Sequence, residues 1–321
     1  MSTDGVRDVI MIGAGPSALA ASVYTTREDI DTVLYEKGVI GGMAAITDKV
    51  DNYPGFPEGI EGMRLAGQLQ AQAERFGAQI ELGEVSEIRD EGGVKVVVVD
   101  GKDVKAKAVL IATGSDYKKT GVPGEAKYFG RGVHYCATCD GAFYRDRKIA
   151  VIGGGNSALQ EAIFLTRFSS HIDLLVRSTI SASEVLQKEL KKYVDDGKVT
   201  VHLGTTTTEM VATDNKITSV TAVKDGKELS LSVDGIFVFV GLLPNTGFLK
   251  DSAIELDKLG LIKTDSHLRT SMNGVYASGD VRSGATLQIA SAVGEGATAA
   301  LNIREYLDGL NHHVGNEMSD A

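Results

Sequence analysis

The chain has 321 residues, of which 43% are hydrophobic, enough for two domains of ordinary size with buried cores. Its formal net charge of -10 argues against nucleic acid or an anionic membrane as a partner. The N-terminus is polar, and the longest apolar run, near residues 236–243, is too short to cross a bilayer. We therefore expect no membrane partner and a cytoplasmic location.

The first signal along the chain is a strand followed by a glycine-rich turn. Apolar residues Val9–Ile12 lead into GAGPSA at residues 13–18, and a helical stretch continues to about Thr26. In this G-x-G-x-x-A pattern the glycines let the backbone approach a pyrophosphate, whose charge faces the helix N-terminus. The next strand, Thr32–Tyr35, ends at Glu36, where a carboxylate can bind both hydroxyls of an adenosine ribose. The pattern therefore predicts a site for an unphosphorylated adenine dinucleotide.

The next region combines a glycine- and proline-rich loop with an insert of short strands. Gly41-Gly42 and the segment NYPGFP at residues 52–57 either wrap a flat ring or form an ordinary surface loop. A helix over about Met63–Phe76 precedes short strands that turn at Asp100-Gly101 and end in Ala108–Ala112. Such an insert within a Rossmann unit is typical of flavin and nicotinamide disulfide reductases.

The only two cysteines of the chain, Cys136 and Cys139, lie in the sequence CATCD at a predicted helix start. Two residues between the sulfurs is the layout of a disulfide that opens and closes during turnover, and a helix start favours the thiolate. Asp140, the next residue, could move the proton that accompanies thiol exchange. A zinc site would need further ligands from the six histidines, and a purely structural disulfide would close too short a loop to stabilise much. We therefore favour redox chemistry and expect no metal.

A second unit follows and repeats the pattern of the first. A strand at Lys148–Ile152 leads into GGGNSA at residues 153–158, a helix to about Phe168 and a strand at Ile172–Val176. A helix near Glu184–Tyr193, strands with an Asp-Gly turn at residues 225–226, and a strand at Ile236–Val240 complete the repeat. The chain thus contains an internal duplication, with two dinucleotide sites and one dithiol.

The last segment returns to the first domain. A short strand, Val275–Ala277, leads to the sequence SGD, and a helix is predicted from about Leu287 to Leu307. Asp280 at this strand end can accept hydrogen bonds from a ribityl chain, and the helix N-terminus favours negative charge on a reduced flavin. The remaining segment, Asn311–Ala321, contains His312 and His313 and is expected to be a frayed tail, the alternative being a cover over one flavin face.

Together these motifs resemble the low-molecular-weight thioredoxin reductase family over nearly the whole chain. GAGPSA, NYPGFPEGI, ATG at residues 112–114, CATCD, GGGNSA, GLLPN at 241–245 and SGD at 278–280 occur in the order of the family. The resemblance implies an α/β fold class with two Rossmann-like, three-layer ββα nucleotide-binding domains, the second inserted into the first. Residues 1–117 and 246–321 would form a discontinuous FAD-binding domain, and residues 118–245 a pyridine-nucleotide-like domain that carries the CxxC motif.

The resemblance also implies site residues, partners and a movement. Cys139 would face the flavin, Cys136 would attack the disulfide of thioredoxin or a thioredoxin-like protein, and Asp140 would donate the proton. FAD would be bound by Gly13, Gly15, Pro16, Ser17, Glu36, Gly41, Gly42, Met43, Asn52, Ala112, Thr113, Gly114, Gly279, Asp280, Leu287, Gln288 and Ile289. The second nucleotide would be bound by Gly153, Gly155, Asn156, Ser157, Ala158, Arg177 and Ser178. A homodimer is expected, and the inserted domain would rotate because the dithiol and a nicotinamide ring need the same flavin face.

The sequence departs from the family pattern at three places. Members that use NADPH carry H-R-R-x-x-x-R after the second strand of the inserted domain, whereas residues 176–182 read VRSTISA here. Arg177 alone remains to grip a 2′-phosphate, and no acid marks a preference for NADH, so either NADPH or NADH is compatible with the sequence. Leu287 replaces an arginine and Met43 a glutamine that are usual beside the flavin, which should shift its potential or its access.

Four functions remain in view. The favoured one is a flavoprotein disulfide reductase that uses NADPH or NADH and acts on a thioredoxin-like protein. The second keeps FAD and the dithiol but takes electrons from ferredoxin or a second flavin. The third is a flavin-dependent dithiol oxidase that passes electrons to oxygen. The fourth is a flavin-binding interaction protein with a decayed nucleotide site, which the intact CATCD sequence disfavours.

Overall fold

The computed structural model describes residues 5–47 and 49–317, with side chains as far as Leu310. This chain divides into two compact units. Unit 1 comprises Met1–Asp116 and Leu243–Ala321, and unit 2 comprises Tyr117–Leu242. The predicted domain limits, 117/118 and 245/246, differ from these by one and three residues.

Unit 1 begins with an alternation of strands and helices and continues with a hairpin insert. Its elements up to the first connection are β1 (Val6–Ile12), α1 (Pro16–Thr26), β2 (Thr32–Glu36), α2 (Gly42–Ala45), α3 (Gly62–Arg75), β3 (Gln79–Leu82), β4 (Val85–Glu91), β5 (Val94–Val99), β6 (Lys102–Ile111) and β7 (Ser115–Tyr117, which extends one residue into unit 2).

The sheet of unit 1 runs in the order β3-β2-β1-β6-β5-β4. The pairs β2-β3, β1-β2 and β1-β6 are parallel, whereas β5 pairs antiparallel with both β4 and β6. The end of β1 is buried on both faces, as expected for a parallel strand that is covered by helices on one side and an insert on the other. One core cluster contains Leu19, Met11 and Ile303, and the opposite one contains Ile10, Val97 and Ile262.

Unit 2 has the same alternation around a second sheet. Its elements are β8 (Val133–His134), α4 (Ala137–Asp140), a 3-10 helix (Gly141–Tyr144), β9 (Lys148–Ile152), α5 (Asn156–Leu165), β10 (His171–Leu175), α6 (Glu184–Asp195), β11 (Val199–His202), β12 (Thr205–Thr213), β13 (Lys216–Lys224), β14 (Lys227–Ser232) and β15 (Gly235–Val238). Strands β11-β10-β9-β15-β8 form the parallel sheet, and β12-β13-β14 form an antiparallel sheet.

The return to unit 1 passes through β16 (Leu242–Pro244), which pairs with β7, and a 3-10 helix, Gly247–Leu249. Strand β17 (Val275–Ala277) then pairs parallel with β6, and α7 spans Ile289–Glu317. Helix α7 extends ten residues beyond its predicted end at Leu307, so the backbone of the expected frayed tail is helical as far as Glu317. Residues 318–321 of that tail lie outside the described residues, as do the side chains of His312 and His313.

The two predicted Asp-Gly turns have the same backbone in both units. Asp100 and Gly101 have φ of 48° and 75°, and Asp225 and Gly226 have φ of 51° and 74°. Positive φ at both central positions is the geometry that joins two twisted antiparallel strands with a two-residue loop. The repeated alternation, with the second unit placed within the sequence of the first, confirms the predicted α/β fold class. Among the described residues, no helix has the length and apolar character needed to span a bilayer.

Candidate redox site and nucleotide sites

Cys136 and Cys139 form a disulfide at the start of α4 in unit 2, with their Cα atoms 5.3 Å apart. Cys136 has extended backbone and caps the helix, because its Sγ accepts a hydrogen bond of 3.1 Å from the amide of Cys139. The helix N-terminus therefore directs an N–H at one of the two sulfurs, which favours negative charge on that sulfur when the disulfide opens. Among the described residues, no cluster of three or more metal-ligating side chains occurs.

Asp140 ends α4 and contacts a histidine that the sequence did not single out. Asp140 Oδ2 lies 3.2 Å from Nδ1 of His134, whose side chain is only 6% exposed. The other ring nitrogen of His134, Nε2, lies 2.7 Å from the hydroxyl of Tyr144. The ring also packs against Phe237, at 5.2 Å between centroids. Burial, together with the charge of Asp140, raises the pKa of Tyr144 well above its ordinary value, so this hydroxyl remains protonated.

The first glycine turn joins β1 to α1 and has the shape of a dinucleotide cradle. Gly13 has φ of 98°, and a Cβ there would lie 2.6 Å from the carbonyl oxygen of Ala112. Gly15 caps α1, Pro16 occupies its first turn, and a Cβ on Gly15 would meet nothing within 4 Å. The open space in front of the helix N-terminus fits a pyrophosphate.

Glu36 is held beside this turn by backbone amides. Its Oε2 accepts a hydrogen bond of 2.8 Å from Ala14 N, and its Oε1 accepts one of 2.8 Å from Gly38 N. The amide of Gly41 donates to the carbonyl of Ala14 at 2.8 Å, which brings the Gly41-Gly42 turn to the same place. The carboxylate is thus fixed beside the glycine turn, and its binding to a ribose stays a prediction.

The SGD segment after β17 closes the other side of the cradle. Ser17 and Ser278 share a hydrogen bond of 2.6 Å between their hydroxyls, and a Cβ on Gly279 would lie 3.3 Å from Cβ of Ser17. The Gly279 amide donates to Glu295 at 2.8 Å. Burial raises the pKa of Asp280 to about 6, and Glu295 adds to this effect. The carboxyl of Asp280 has no hydrogen-bond partner among the described residues, so it is available to a hydroxyl-bearing ligand such as a ribityl chain.

The remaining predicted flavin residues of unit 1 lie in four loops or helix starts. Asn52 Nδ2 donates to Gln288 Oε1 at 3.0 Å. Leu287 has φ of 57°, a strained value for a side chain of this size, and Ile289 begins α7. Met43 lies in α2 and its carbonyl accepts from the hydroxyl of Thr47. The segment Ala112, Thr113 and Gly114 after β6 is tied to Asn245, whose side chain donates to the carbonyl of Thr113 at 3.0 Å.

The second glycine turn, between β9 and α5, repeats the first. Gly153 has φ of 144°, and a Cβ there would lie 2.3 Å from the carbonyl oxygen of Phe239. Gly155 caps α5 with extended backbone, Ala158 is buried, and the exposed Ser157 begins the helix beside Asn156. The side chain of Asn156 accepts a hydrogen bond of 2.8 Å from the amide of Ser183. This contact joins the turn to the loop after β10.

The loop after β10 offers one cation. Val176 is buried, and Arg177 and Ser178 are exposed. The amides of Ser181 and Ala182 both donate to the carbonyl of Gly154, and Ala182 is 5% exposed. Because the loop folds back against the glycine turn, position 182 contributes to the core.

The predicted residues therefore form three groups. Among the FAD candidates of unit 1, Glu36, Gly41, Ala112 and Gly279 lie against the first turn, whereas Asn52 and Gln288 contact each other. The dithiol and the second nucleotide turn both belong to unit 2. His134, Tyr144 and Glu295 were not predicted as site residues, and Ser278 was noted only as part of the SGD motif. His134 had a local signal, because it lies two residues before Cys136, but the burial that makes it relevant depends on Phe237, which is distant in sequence.

The fold and these sites define a class of protein. The profile of the family described as "Pyridine nucleotide-disulphide oxidoreductase" matches residues 7–296. The chain belongs to this family and, by the similarities that follow, to its low-molecular-weight thioredoxin reductases, which confirms the resemblance found in the motifs.

Three relatives support the narrower assignment. The thioredoxin reductase of Listeria innocua is 40% identical over 312 residues, which cover 96% of each chain. That of Bacillus subtilis is 39% identical over 97% of this chain and 98% of its own. The crystal structure of thioredoxin reductase from Streptococcus pyogenes superimposes with a TM-score of 0.90 at 37% identity, covering 96% of this chain and 100% of the other.

Proposed function

We propose that this protein is a flavoprotein disulfide oxidoreductase that reduces thioredoxin or a thioredoxin-like protein through the Cys136–Cys139 pair. The observation that carries the proposal is the disulfide itself, formed by the only two cysteines of the chain at a helix start, with an acid next to it. Similarity to thioredoxin reductases over almost the whole chain supports the choice of substrate.

FAD, when bound, supplies two-electron chemistry between a nucleotide donor and the disulfide. The chain's own residues would hold it in unit 1. Gly15 leaves room for the pyrophosphate, the Glu36 carboxylate would bind the adenosine ribose, and the partly buried carboxyl of Asp280 would take a ribityl hydroxyl. Leu287 and Met43 present apolar side chains at positions predicted to lie near the ring, which lowers the number of polar groups able to stabilise its reduced form.

The exchange step follows from the chemistry of the dithiol. In the reduced protein, the Cys136 thiolate attacks the substrate disulfide, a new disulfide joins Cys136 to the substrate, and the departing substrate sulfur takes a proton from Asp140. The Asp140 carboxylate then accepts the proton of the Cys139 thiol. The Cys139 thiolate attacks Cys136 Sγ, which restores the intramolecular disulfide and releases the second substrate sulfur to be protonated by solvent.

We propose a nicotinamide coenzyme as the electron donor, with little discrimination between NADPH and NADH. The loop after β10 supports this proposal, since Arg177 is its one cation among residues 176–182 and the buried Val176 offers no carboxylate to a ribose. The same loop favours a second candidate, in which ferredoxin or another flavin supplies the electrons.

Anaerobic titration of the purified FAD-loaded protein with NADPH and then NADH tests this part of the proposal. We expect the flavin band at about 450 nm to bleach with either coenzyme. Arg177→Ala should lower the affinity for NADPH by about tenfold, because a charge-assisted contact is lost, and should leave the affinity for NADH unchanged. Cys139→Ser serves as the control that keeps FAD but loses turnover with thioredoxin. No bleaching by either coenzyme, with bleaching by reduced ferredoxin, would favour the second candidate.

We further propose that the protein is a cytoplasmic homodimer. The support is its resemblance to the family together with its net charge of -10. Light scattering coupled to gel filtration should give twice the chain mass of 33.9 kDa, and a monomer mass would contradict the proposal.

A further inference from the structure

Asp140 is held through one of its oxygens by a buried histidine. His134 is the last residue of β8, and its side chain is buried against the rings of Tyr144 and Phe237. Its Nδ1 is 3.2 Å from Asp140 Oδ2, and the Asp140 side chain is 22% exposed. The contact leaves the other carboxylate oxygen, Oδ1, as the one able to exchange a proton with sulfur.

The neighbours of His134 select one arrangement of its protons. Tyr144 remains protonated because burial and the charge of Asp140 both raise its pKa, with Asp234 adding to the effect and Arg147 opposing it. The Tyr144 hydroxyl lies 2.7 Å from Nε2, so it can donate its proton to that nitrogen. An imidazole whose Nε2 accepts this bond carries a proton on Nδ1, the atom that lies 3.2 Å from Asp140 Oδ2.

Aromatic rings prevent the imidazole from turning away. The His134 ring contacts Phe237 at 5.2 Å and Tyr144 at 5.3 Å between centroids. Phe237 is fully buried in β15, where it pairs with His134 of β8. The pairing of β8 with β15 thus fixes the His134 side chain relative to α4, and His134 needs no rearrangement before it acts.

We propose that His134 is a positioning residue for the exchange reaction, orienting Asp140 so that Oδ1 delivers the proton to the departing sulfur. The proposal rests on the proposed function. When Asp140 has given up its proton, a proton on Nδ1 of His134, 3.2 Å from Oδ2, stabilises the carboxylate. When Asp140 takes the proton of the Cys139 thiol, the same contact keeps the carboxyl group oriented with Oδ1 available. Tyr144 acts one step further away, by fixing the proton of His134 on Nδ1.

The test compares two disulfides with different leaving groups. FAD-loaded protein, reduced beforehand with dithiothreitol and desalted without oxygen, is mixed with an oxidised bacterial thioredoxin or with 5,5′-dithiobis(2-nitrobenzoate). An alkyl thiolate leaves slowly unless it is protonated, whereas the aromatic thiolate leaves without a proton. We expect His134→Leu to slow exchange with thioredoxin by about tenfold, a part of what a general acid contributes, and to change the aromatic reaction by less than about twofold.

Three further variants separate positioning from a structural role. His134→Asn keeps an N–H near the place of Nδ1 and should recover much of the rate. In an Asp140→Asn background, His134→Leu should cause no further loss, because the histidine acts through that carboxylate. His202→Asn is the matched control, since His202 Nε2 lies 2.8 Å from Asp173 Oδ1 in the same unit and, among the described residues, forms no hydrogen bond or ion pair with the CATCD segment. It should leave both reactions unchanged.

A readout independent of turnover is the alkylation rate of the reduced cysteines by iodoacetamide between about pH 5 and 9, the range over which a thiol titrates near an acid. Both His134→Leu and Asp140→Asn should move this profile, and the double variant should match Asp140→Asn. Equal loss with both disulfides, or additive effects in either assay, would overturn the role of His134. If the unmodified protein does not reduce thioredoxin at all, the proposed substrate is wrong, and the alkylation profile still decides the role of His134.

Discussion

The carboxyl of Asp280 has surroundings that favour a bound ligand over the ligand-free protein. It follows the buried strand β17, and burial raises its pKa to about 6 while Glu295 opposes its ionisation. No described residue donates a hydrogen bond to the carboxyl, although Ser115 donates to its backbone carbonyl at 2.6 Å. A desolvated acid without donors destabilises the chain that carries it, unless a bound group supplies the hydroxyl.

The raised pKa of Asp280 predicts how the stability of the FAD-free protein depends on pH. The folded protein binds this proton up to about pH 6, whereas the unfolded chain loses it near the model-peptide value of 3.8. Stability should therefore fall as pH rises through this window, by on the order of 1 to 3 kcal/mol at about 1.4 kcal/mol per pH unit. Urea unfolding of the apoprotein at pH 4 and pH 7 measures the change, and Asp280→Asn should remove it.

The exposed Asp251, which lies on the surface of the same unit, is the matched control. Asp251→Asn should leave the pH dependence as it is in the unmodified apoprotein. Identical pH dependence in Asp280→Asn and the unmodified protein would mean that Asp280 is ionised at no cost. In that case the lack of hydrogen-bond donors to the carboxyl of Asp280 would give no support to a ligand at this place.

Among the elements, the strand, turn and helix of the dinucleotide-binding pattern occur twice, and the two glycines of each turn differ from each other in the same way. The first glycine of each turn, Gly13 or Gly153, has positive φ and lies against a backbone carbonyl of a neighbouring segment. The second, Gly15 or Gly155, has ordinary extended backbone and has no close backbone neighbour at the place of a Cβ. The first glycine is therefore required by the fold, and the second is the one that a bound pyrophosphate would require.

This division predicts opposite results for two alanine substitutions in the first turn. Gly13→Ala should lower the free energy of unfolding by at least about 2 kcal/mol, because its Cβ meets Ala112 O and its φ of 98° is unfavourable for alanine. Gly15→Ala should leave the apoprotein equally stable and yet prevent FAD retention, because its methyl group enters the space of the pyrophosphate. Thermal unfolding of the apoproteins and the flavin content after gel filtration measure the two effects. Retention of FAD by Gly15→Ala would remove the assignment of that space to the pyrophosphate.

Features that depend on neighbouring residues could be predicted from the sequence, and features that depend on distant ones could not. The glycine turns, the Asp-Gly hairpins and the helix start at Cys136 each follow from a few consecutive residues. The contact of His134 with Asp140 does not follow from nearby residues, because nothing in the sequence around this histidine indicates that Phe237 buries it. The end of α7 was also missed, because Gly309 and Asn311 suggest a stop that the backbone does not make.

In the molecule as a whole, unit 2 interrupts the sequence of unit 1, yet the two segments of unit 1 that flank the interruption remain joined to each other. In unit 1, Asn245 N donates to Gly114 O at 3.1 Å, and Thr113 Oγ1 donates to Asn245 O at 2.8 Å. In unit 2, Lys118 N donates to Gly241 O at 2.9 Å. These hydrogen bonds hold the two connecting segments together within each unit. For unit 1, the insertion of unit 2 therefore has the small entropic cost of closing one loop.

Unit 1 should consequently fold and bind FAD when unit 2 is replaced by a short linker. Joining Asp116 to Leu243 through about four glycines, a length that spans two neighbouring strands, removes a loop without removing any residue of the unit 1 core. The product should be yellow, with a flavin content close to one per chain, and should not exchange with disulfides. The same product carrying Gly15→Ala should be folded and colourless, which separates loss of the fold from loss of the site. A shortened chain that unfolds, although its core residues are all present, would show that unit 1 takes its stability from unit 2.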